Sequence, residues 1–286
     1  MNVLRTGLLL SVLTLLLVIV GQLLGGSQGA TTAFLFALVI NLGSYWFSDK
    51  IVLAMYRAKP LSESEAPQVY RAVREIAARE HIPVPKIYWL PTVTPNAFAT
   101  GRSPKHAAVA VTSGLLEIMS EEELKGVLAH ELSHVKNRDT LVMSIAAAVA
   151  GAISMLASWA RWGLMFGGGG RDGDRRNGNA AFQLIALLFI AILAPLAAML
   201  IQLAISRTRE YGADETGARL TGNPTGLASA LEKLDAAVRA HPLQNANPAT
   251  AHLFIVNPLK MDTFAKLFST HPPIAERVRR LRSMRL

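Results

Sequence analysis

The chain has 286 residues, a formal net charge of +9 and no cysteine; 51% of its residues are hydrophobic and only 17% are charged. The absence of cysteine excludes disulfides, thiolate metal sites and a cysteine nucleophile, so any metal site must be built from His, Asp and Glu. A basic chain can bind nucleic acid, but no nucleic-acid motif accompanies the charge here. The low charged fraction, with basic residues beside apolar segments, is instead typical of a membrane protein.

Two apolar segments without charge open the chain, at residues 7–24 and 31–47. Each approaches the roughly 17–25 residues that a helix needs to cross a bilayer. The alternative for the first segment is a cleaved signal peptide. No small-x-small cleavage site follows it, however, and a second apolar segment comes at once. We therefore expect residues 1–49 to form a transmembrane hairpin.

Two further apolar segments lie at residues 141–164 and 180–205, within a region 139–205 that we expect to contain two transmembrane or membrane-embedded helices. Buried helices of a soluble core remain the alternative, particularly for the Ala-rich third segment. The Gly-rich loop at 167–179 lacks the Gly-Lys-Ser/Thr ending of a phosphate-binding loop, which favours a flexible linker. The positive-inside rule places basic residues beside membrane segments on the cytoplasmic side, so we expect both termini and the polar stretches to face the cytoplasm. The basic residues that flank the segments are Lys50, Arg57, Lys59, Lys136, Arg138, Arg207 and Arg209.

The polar stretches 50–138 and 206–286 contain the remaining secondary structure. Residues 62–80 have the apolar spacing of a helix, and residues 86–90 and 107–112 are typical of short strands. Ser120 followed by Glu123 is a capping-box signature, which predicts a helix from about residue 121 to 137 that is able to continue into the third apolar segment. Residues 206–286 are predicted to be mainly helical.

The predicted helix at 121–137 contains the sequence His-Glu-Leu-Ser-His at residues 130–134. Residues four apart share one face of a helix, so His130 and His134 can direct ring nitrogens at one metal ion. Glu131 is rotated by about 100° from His130, which places it beside the metal as a base for an attacking water. The alternative is a pair of surface histidines beside an unrelated glutamate.

A catalytic zinc site needs a third protein ligand and one open position. Glu210 and Asp214 are also four residues apart and share a helix face. One of them can bind the metal while the other accepts a hydrogen bond from a ligand histidine. Helical spacing alone leaves open whether this pair is instead a solvated acidic pair.

The sequence resembles the HtpX family of membrane zinc metalloproteases, which belongs with the CAAX prenyl proteases to the gluzincin group. The motifs that carry the resemblance are Asn-Ala-Phe-Ala-Thr-Gly at 96–101, Ala-His-Glu-Leu-Ser-His at 129–134, residues 206–214, and Thr-His-Pro-Pro at 270–273 with Arg277. The resemblance implies one zinc ion per chain, with Glu210 as the third ligand and Asp214 as the partner of a ligand histidine. It also implies an edge strand that binds substrate through Asn96, Ala97, Phe98 and Ala99, and a catalytic role for His271 in stabilising the oxyanion.

The fold implied is a mainly α membrane protein with about four transmembrane helices and a cytoplasmic zincin-like α+β domain with a small sheet. That domain would be divided between residues 50–138 and 206–286. The implied function is zinc-dependent endopeptidase cleavage of misfolded or membrane proteins, in a stress response at the bacterial inner membrane. Two alternatives are a metal-binding membrane scaffold and a metal-dependent hydrolase of a small molecule. No pattern in the sequence indicates an oligomeric state.

Overall fold

The computed structural model describes residues 2–151, 206–240, 250–257 and 272–286. The described part is mostly helical, with one small sheet. Its helices are α1 (Asn2–Met55), α2 (Pro67–Arg79), α3 (Ser113–Ile118), α4 (Glu121–Lys136), α5 (Asp139–Gly151), α6 (Arg207–Thr221), α7 (Pro224–Ala240) and α8 (Ile274–Ser283). Its strands are β1 (Lys59–Pro60), β2 (Lys86–Leu90), β3 (Ala97–Gly101) and β4 (Ala107–Thr112).

Helix α1 folds back on itself at Gly25 and Gly26. The backbone of Gly26 has φ 60° and ψ −149°, a conformation that glycine adopts without the steric cost of a side chain. The halves of α1 before and after this bend, here called its two arms, lie side by side. Asn41 Nδ2 in the second arm donates a hydrogen bond of 2.8 Å to Thr14 Oγ1 in the first, 27 residues earlier. The apolar segments predicted at 7–24 and 31–47 therefore form a helical hairpin.

One helix within the described ranges is long and apolar enough to cross a membrane by length and composition. It is the second arm, Gly25–Met55, with 31 residues and a mean hydropathy of 1.4; the apolar helices Thr6–Ile19 and Asp139–Gly151 are shorter. The structure thus gives one candidate membrane span, and the expected total of four is not confirmed. The fourth predicted segment, 180–205, lies outside the described residues.

The sheet has the strand order β1-β2-β4-β3. Strands β2 and β4 are parallel, while β1 pairs antiparallel with β2 and β3 pairs antiparallel with β4. The strands predicted at 86–90 and 107–112 are thus present. Strand β3 lies at one edge of the sheet, with α4 packed against it.

Helix α4 begins with the predicted capping box. Ser120 Oγ accepts from the Glu123 backbone N–H, and the Glu123 carboxylate accepts from the Ser120 N–H. The helix does not continue into the third apolar segment, which corrects that expectation. It ends at Lys136, Arg138 takes a left-handed conformation with φ 57°, and α5 starts anew at Asp139. This break turns the chain back toward the end of α4.

One hydrophobic core cluster combines residues from both polar stretches of the chain. It contains side chains of α2, the sheet and α4 together with side chains of α6, α7 and α8. Two glycines allow close helix contacts around α4: Gly126 of α4 faces Leu227 of α7, and Gly217 of α6 faces the His130 backbone. Residues distant in sequence are thereby fixed around α4.

Candidate metal centre

His130, His134 and Glu210 come together in the core. Each offers a ligand atom, and these atoms all lie within 4.8 Å of one another. His130 Nε2 is 3.7 Å from Glu210 Oε2, and His134 Nε2 is 3.5 Å from Glu210 Oε1. All three side chains are buried. Two imidazole nitrogens and a carboxylate are a set of ligands that can hold a divalent metal ion such as zinc.

Helix packing explains how a ligand 76 residues beyond His134 reaches the histidines. Glu210 lies in the first turn of α6, which crosses α4 where Gly217 meets His130. Gly217 has no side chain, so the two backbones approach closely enough for Glu210 and Asp214 to face the histidines. The acidic pair that the sequence left open is therefore buried at the metal centre rather than solvated.

His130 is held by Asp214 and Arg277. The Nδ1 atom of His130 lies 3.0 Å from Asp214 Oδ1, so this nitrogen donates to the carboxylate while Nε2 faces Glu210. Arg277 donates to both Asp214 oxygens, at 2.8 and 2.7 Å, and its Nη2 lies 3.4 Å from one ring nitrogen of His130 and 3.5 Å from the other. Arg277 is fully buried, so it pairs with a carboxylate inside the fold and is not part of an exposed basic face of α8.

His134 has a corresponding partner that the sequence analysis missed. Its Nδ1 atom is 3.2 Å from Asp139 Oδ2, and the other oxygen, Oδ1, is 3.3 Å from Nε of Arg209. Both ligand histidines therefore donate from Nδ1 to an aspartate that is paired with an arginine. Asp139 lies five residues after His134, and no regular spacing marks it as a partner, because the contact depends on the turn at Arg138.

Glu131 lies beside the three ligands and is buried. The burial raises the pKa of its carboxyl group to about 8, against the opposing influences of His134 and of a backbone hydrogen bond from Ala99. Burial also lowers the pKa of His130. For His134 burial acts in the same direction, but the hydrogen bond to Asp139 and the charge of Glu210 outweigh it and raise the pKa to about 9 in the metal-free protein.

The predicted substrate strand is contacted by residues 250–257, here called the strap. The Ile255 N–H donates to the Ala97 carbonyl at 3.2 Å, and Asn96 Nδ2 donates to the Val256 carbonyl at 2.7 Å. The side chain of Phe98 points away from the metal centre, into an aromatic cluster with Tyr56 and Phe254. The Ala97 carbonyl and the Asn96 side-chain amide, at the start of β3, are therefore hydrogen-bonded to the strap.

The strap is attached to three further parts of the fold. The Thr250 hydroxyl shares a hydrogen bond with the Tyr56 hydroxyl, just after α1. His252 Nε2 lies 3.1 Å from the Met143 carbonyl of α5, and the Ile255 carbonyl accepts from Arg277 at 3.0 Å. His271, the predicted oxyanion-stabilising residue, lies outside the described residues.

A mainly helical fold with a buried His-His-Glu cluster and an adjacent glutamate defines a metalloprotease. Residues 63–285 match the model of peptidase family M48, and the chain belongs to this family. It is 59% identical over 280 residues to a protease HtpX homolog of Syntrophobacter fumaroxidans, covering 98% of each chain. It is 58% identical to a protease HtpX homolog of Thermococcus sibiricus, covering 98% of this chain and 95% of that protein.

Among solved structures, Ste24p of S. mikatae matches with a TM-score of 0.49 and 20% sequence identity. The match covers 87% of this chain and 56% of that one. Family membership and the HtpX homologues establish that the chain is a membrane metalloendopeptidase that acts on protein or peptide substrates. The predicted resemblance is therefore confirmed.

Proposed function

We propose that this metalloendopeptidase uses one zinc ion per chain, held by His130, His134 and Glu210, with Glu131 as the catalytic base. The observation that carries the proposal is the convergence of these three ligand atoms within 4.8 Å. The ligand set suits zinc, because two imidazoles and one carboxylate with a free coordination position are typical of catalytic zinc in proteases.

The chemistry divides between the metal and the protein. When bound, zinc supplies a Lewis acid that polarises the scissile carbonyl and lowers the pKa of water to about 7. Glu131 takes the proton from the attacking water and delivers it to the departing amine nitrogen. Asp214 and Asp139 keep a proton on Nδ1 of each histidine, so that Nε2 carries the lone pair that faces the metal. The buried position of Glu131 keeps bulk water from competing for the proton.

We propose that the substrate binds as an added strand along β3, at residues Asn96, Ala97, Phe98 and Ala99. A strand edge gives a peptide main-chain hydrogen bonds that do not depend on its sequence. The strap now bonds the Ala97 carbonyl and the Asn96 side chain, so these groups become available only after Ile255 and Val256 move away from them. Phe98 would support the strand from behind, through its aromatic cluster, rather than contact the substrate.

The proposed substrates are membrane proteins or misfolded proteins near a membrane. The helical hairpin would anchor the enzyme in the bilayer as residues 1–49, and the 139–205 region would add further membrane segments. Trp46 lies near the end of the candidate span, where aromatic residues mark the membrane interface. Arg102, directly after β3, lies over the Trp46 ring at 4.8 Å, so the substrate strand ends beside that interface.

The basic residues that flank the apolar segments favour an active site on the cytoplasmic side of the membrane. The resemblance to the HtpX family supports a place in the bacterial inner membrane and a role in the stress response. The zincin-like domain would then be formed by 50–138 and 206–286. His271 would stabilise the oxyanion, a role supported by its motif at 270–273. A metal-binding scaffold or a small-molecule hydrolase is less favoured, because a scaffold needs no base beside the metal and an edge strand suits a peptide.

The test is casein cleavage by the detergent-purified protein, with and without added zinc, beside Glu131→Gln. We expect cleavage that depends on zinc and is abolished in the variant, while its zinc content equals that of the wild type. Casein cleavage by both proteins would remove Glu131 from the mechanism. Zinc binding without cleavage of casein or of a membrane protein would favour the scaffold.

A further inference from the structure

We propose that Asp139 and Arg209 are positioning residues for the metal centre: Asp139 orients His134, and Arg209 holds Asp139 beside the third ligand. The proposal rests on the proposed function, because it assigns these residues a role toward zinc bound by His130, His134 and Glu210. The contacts that carry it are Asp139 Oδ2 to His134 Nδ1 at 3.2 Å and Asp139 Oδ1 to Arg209 Nε at 3.3 Å.

Each oxygen of the Asp139 carboxylate has a separate task. Oδ2 accepts from the imidazole and Oδ1 forms an ion pair with the guanidinium, so the carboxylate bridges two groups that it cannot hold with a single oxygen. The side chain of Asp139 is 3% exposed and that of Arg209 is 14% exposed, so little water is present to replace either contact. An imidazole without such an acceptor can turn about its χ2 angle and withdraw Nε2 from the metal.

The two residues also occupy special places in the chain. Asp139 is the first residue of α5, and Arg209 immediately precedes Glu210 in the first turn of α6. Their ion pair therefore links the segment that directly follows the His134 helix to the first turn of the helix that carries Glu210.

The Asp214–Arg277 pair cannot substitute for this contact. It bonds the Nδ1 of the other imidazole, that of His130. Because His130 and His134 each have one Nδ1–H, each requires its own acceptor. Loss of such a partner weakens metal binding or activity by about 10–100-fold in metal sites.

The experiment measures the zinc dissociation constant of the purified full chain by competition with a chromophoric chelator. The variants are Asp139→Asn, Arg209→Lys and Arg209→Met. An amide has one acceptor oxygen, so Asp139→Asn serves His134 or Arg209 but not both, and we expect its zinc Kd to rise about 10–100-fold. Arg209→Lys keeps the charge and is expected to bind zinc more tightly than Arg209→Met.

Glu80→Gln is the matched control. Glu80 is a buried carboxylate that pairs with Lys136 near the end of α4, but it touches no ligand. It tests the same carboxylate-to-amide change beside the same helix, and its zinc Kd is expected to equal that of the wild type. Asp139→Asn should also recover casein cleavage when free zinc is raised, whereas Glu131→Gln should not.

A wild-type zinc Kd in Asp139→Asn would overturn the proposal, even if that variant melts at a lower temperature. If Asp139→Asn does not fold, the Arg209 pair decides the question: equal zinc constants for Arg209→Met and the wild type would overturn it. Failure of the proposed function is distinguishable, because the wild type would then bind no zinc or cut no protein. A wild type that binds no zinc would overturn both proposals together.

Discussion

Gly217 of α6 lies directly against the backbone of His130 on α4. A β-carbon built on Gly217 would be 2.9 Å from the His130 nitrogen and 3.2 Å from the Ala129 carbonyl carbon. These are backbone atoms in the middle of a helix, so they cannot move aside as a flexible side chain would. The position of Glu210 on α6 therefore depends on the absence of one methyl group.

Gly217→Ala should weaken zinc binding and destabilise the fold. Overpacking of a core contact costs about 1–3 kcal/mol, and the displacement of α6 would move Glu210 away from the histidines. Gly212 is the control on the same helix, because nothing lies within 4 Å of the point that a β-carbon would occupy there. Gly212→Ala should stabilise the helix by about 0.5–1 kcal/mol. Thermal melts that rise equally in both variants would contradict the prediction.

Glu123 should make the fold sensitive to acid. Burial alone would raise the pKa of its carboxyl group, but hydrogen bonds from Lys233 and Ser229 on α7 and from the Ser120 N–H hold the pKa at about 2. A carboxyl whose pKa is lower in the folded state stabilises the fold above its unfolded pKa. This contribution should be lost as the pH falls from about 4.5 toward 2.

Glu123→Gln tests this contribution, because Gln keeps an acceptor for the capping box but cannot ionise. We expect the wild type to be more stable at pH 7 by roughly 2 kcal/mol, allowing for the solvent around Lys233, and the difference to shrink toward pH 2. The measurement is thermal denaturation across this pH range. Parallel curves for the two proteins would contradict the assignment.

Arg277→Met should destabilise the protein strongly. It would leave the Asp214 carboxylate buried without its partner, and breaking a buried pair in this way costs about 3–5 kcal/mol. The free energy of unfolding of Arg277→Lys should lie between those of Arg277→Met and the wild type, since a lysine cannot donate to both oxygens in one plane. The exposed Arg280 on the same helix is the control, and Arg280→Met should change the free energy of unfolding by less than about 0.5 kcal/mol. A similar loss in both methionine variants would refute a special role for Arg277.

Restraining the strap should stop proteolysis. The natural chain has no cysteine, so Tyr56→Cys with Thr250→Cys creates the only pair of thiols. A short cleavable cross-linker between them would hold the strap against β3, where Ile255 bonds the Ala97 carbonyl. We expect casein cleavage to disappear on cross-linking and return when the linker is cut. If the cross-linked enzyme cuts casein as fast as the unlinked variant, the strap does not have to move.

Local patterns predicted the histidines and the base, because helical spacing fixes which residues of one helix share a face. The capping box at Ser120 and Glu123 likewise set the start of α4 without any knowledge of the fold. Glu210 could be chosen over Asp214 only through the family resemblance. Spacing places both on one face of α6, whereas the contact with α4 decides which of them faces Nε2.

Other contacts depend on backbone conformation and on packing between distant residues, which a short stretch of sequence does not reveal. Asp139 reaches His134 because Arg138 takes a left-handed backbone, which is uncommon for a residue other than glycine. The strap meets β3 across 160 residues of sequence, through the bond from Asn96 to Val256. Arg277 resembles its exposed neighbours in an arginine-rich helix, and only the packing of α8 distinguishes it.

The charges of the buried cluster at the metal centre affect how stable the folded protein is in the cell. Among the described residues, the cluster's four carboxylates and two arginines leave an excess of negative charge when Glu131 is ionised and both histidines are neutral, and a bound divalent cation would balance that excess. A ligand that binds only the folded state adds to its stability in proportion to the logarithm of its concentration. Metal supply would thus govern how much of this protease remains folded as well as how fast it works.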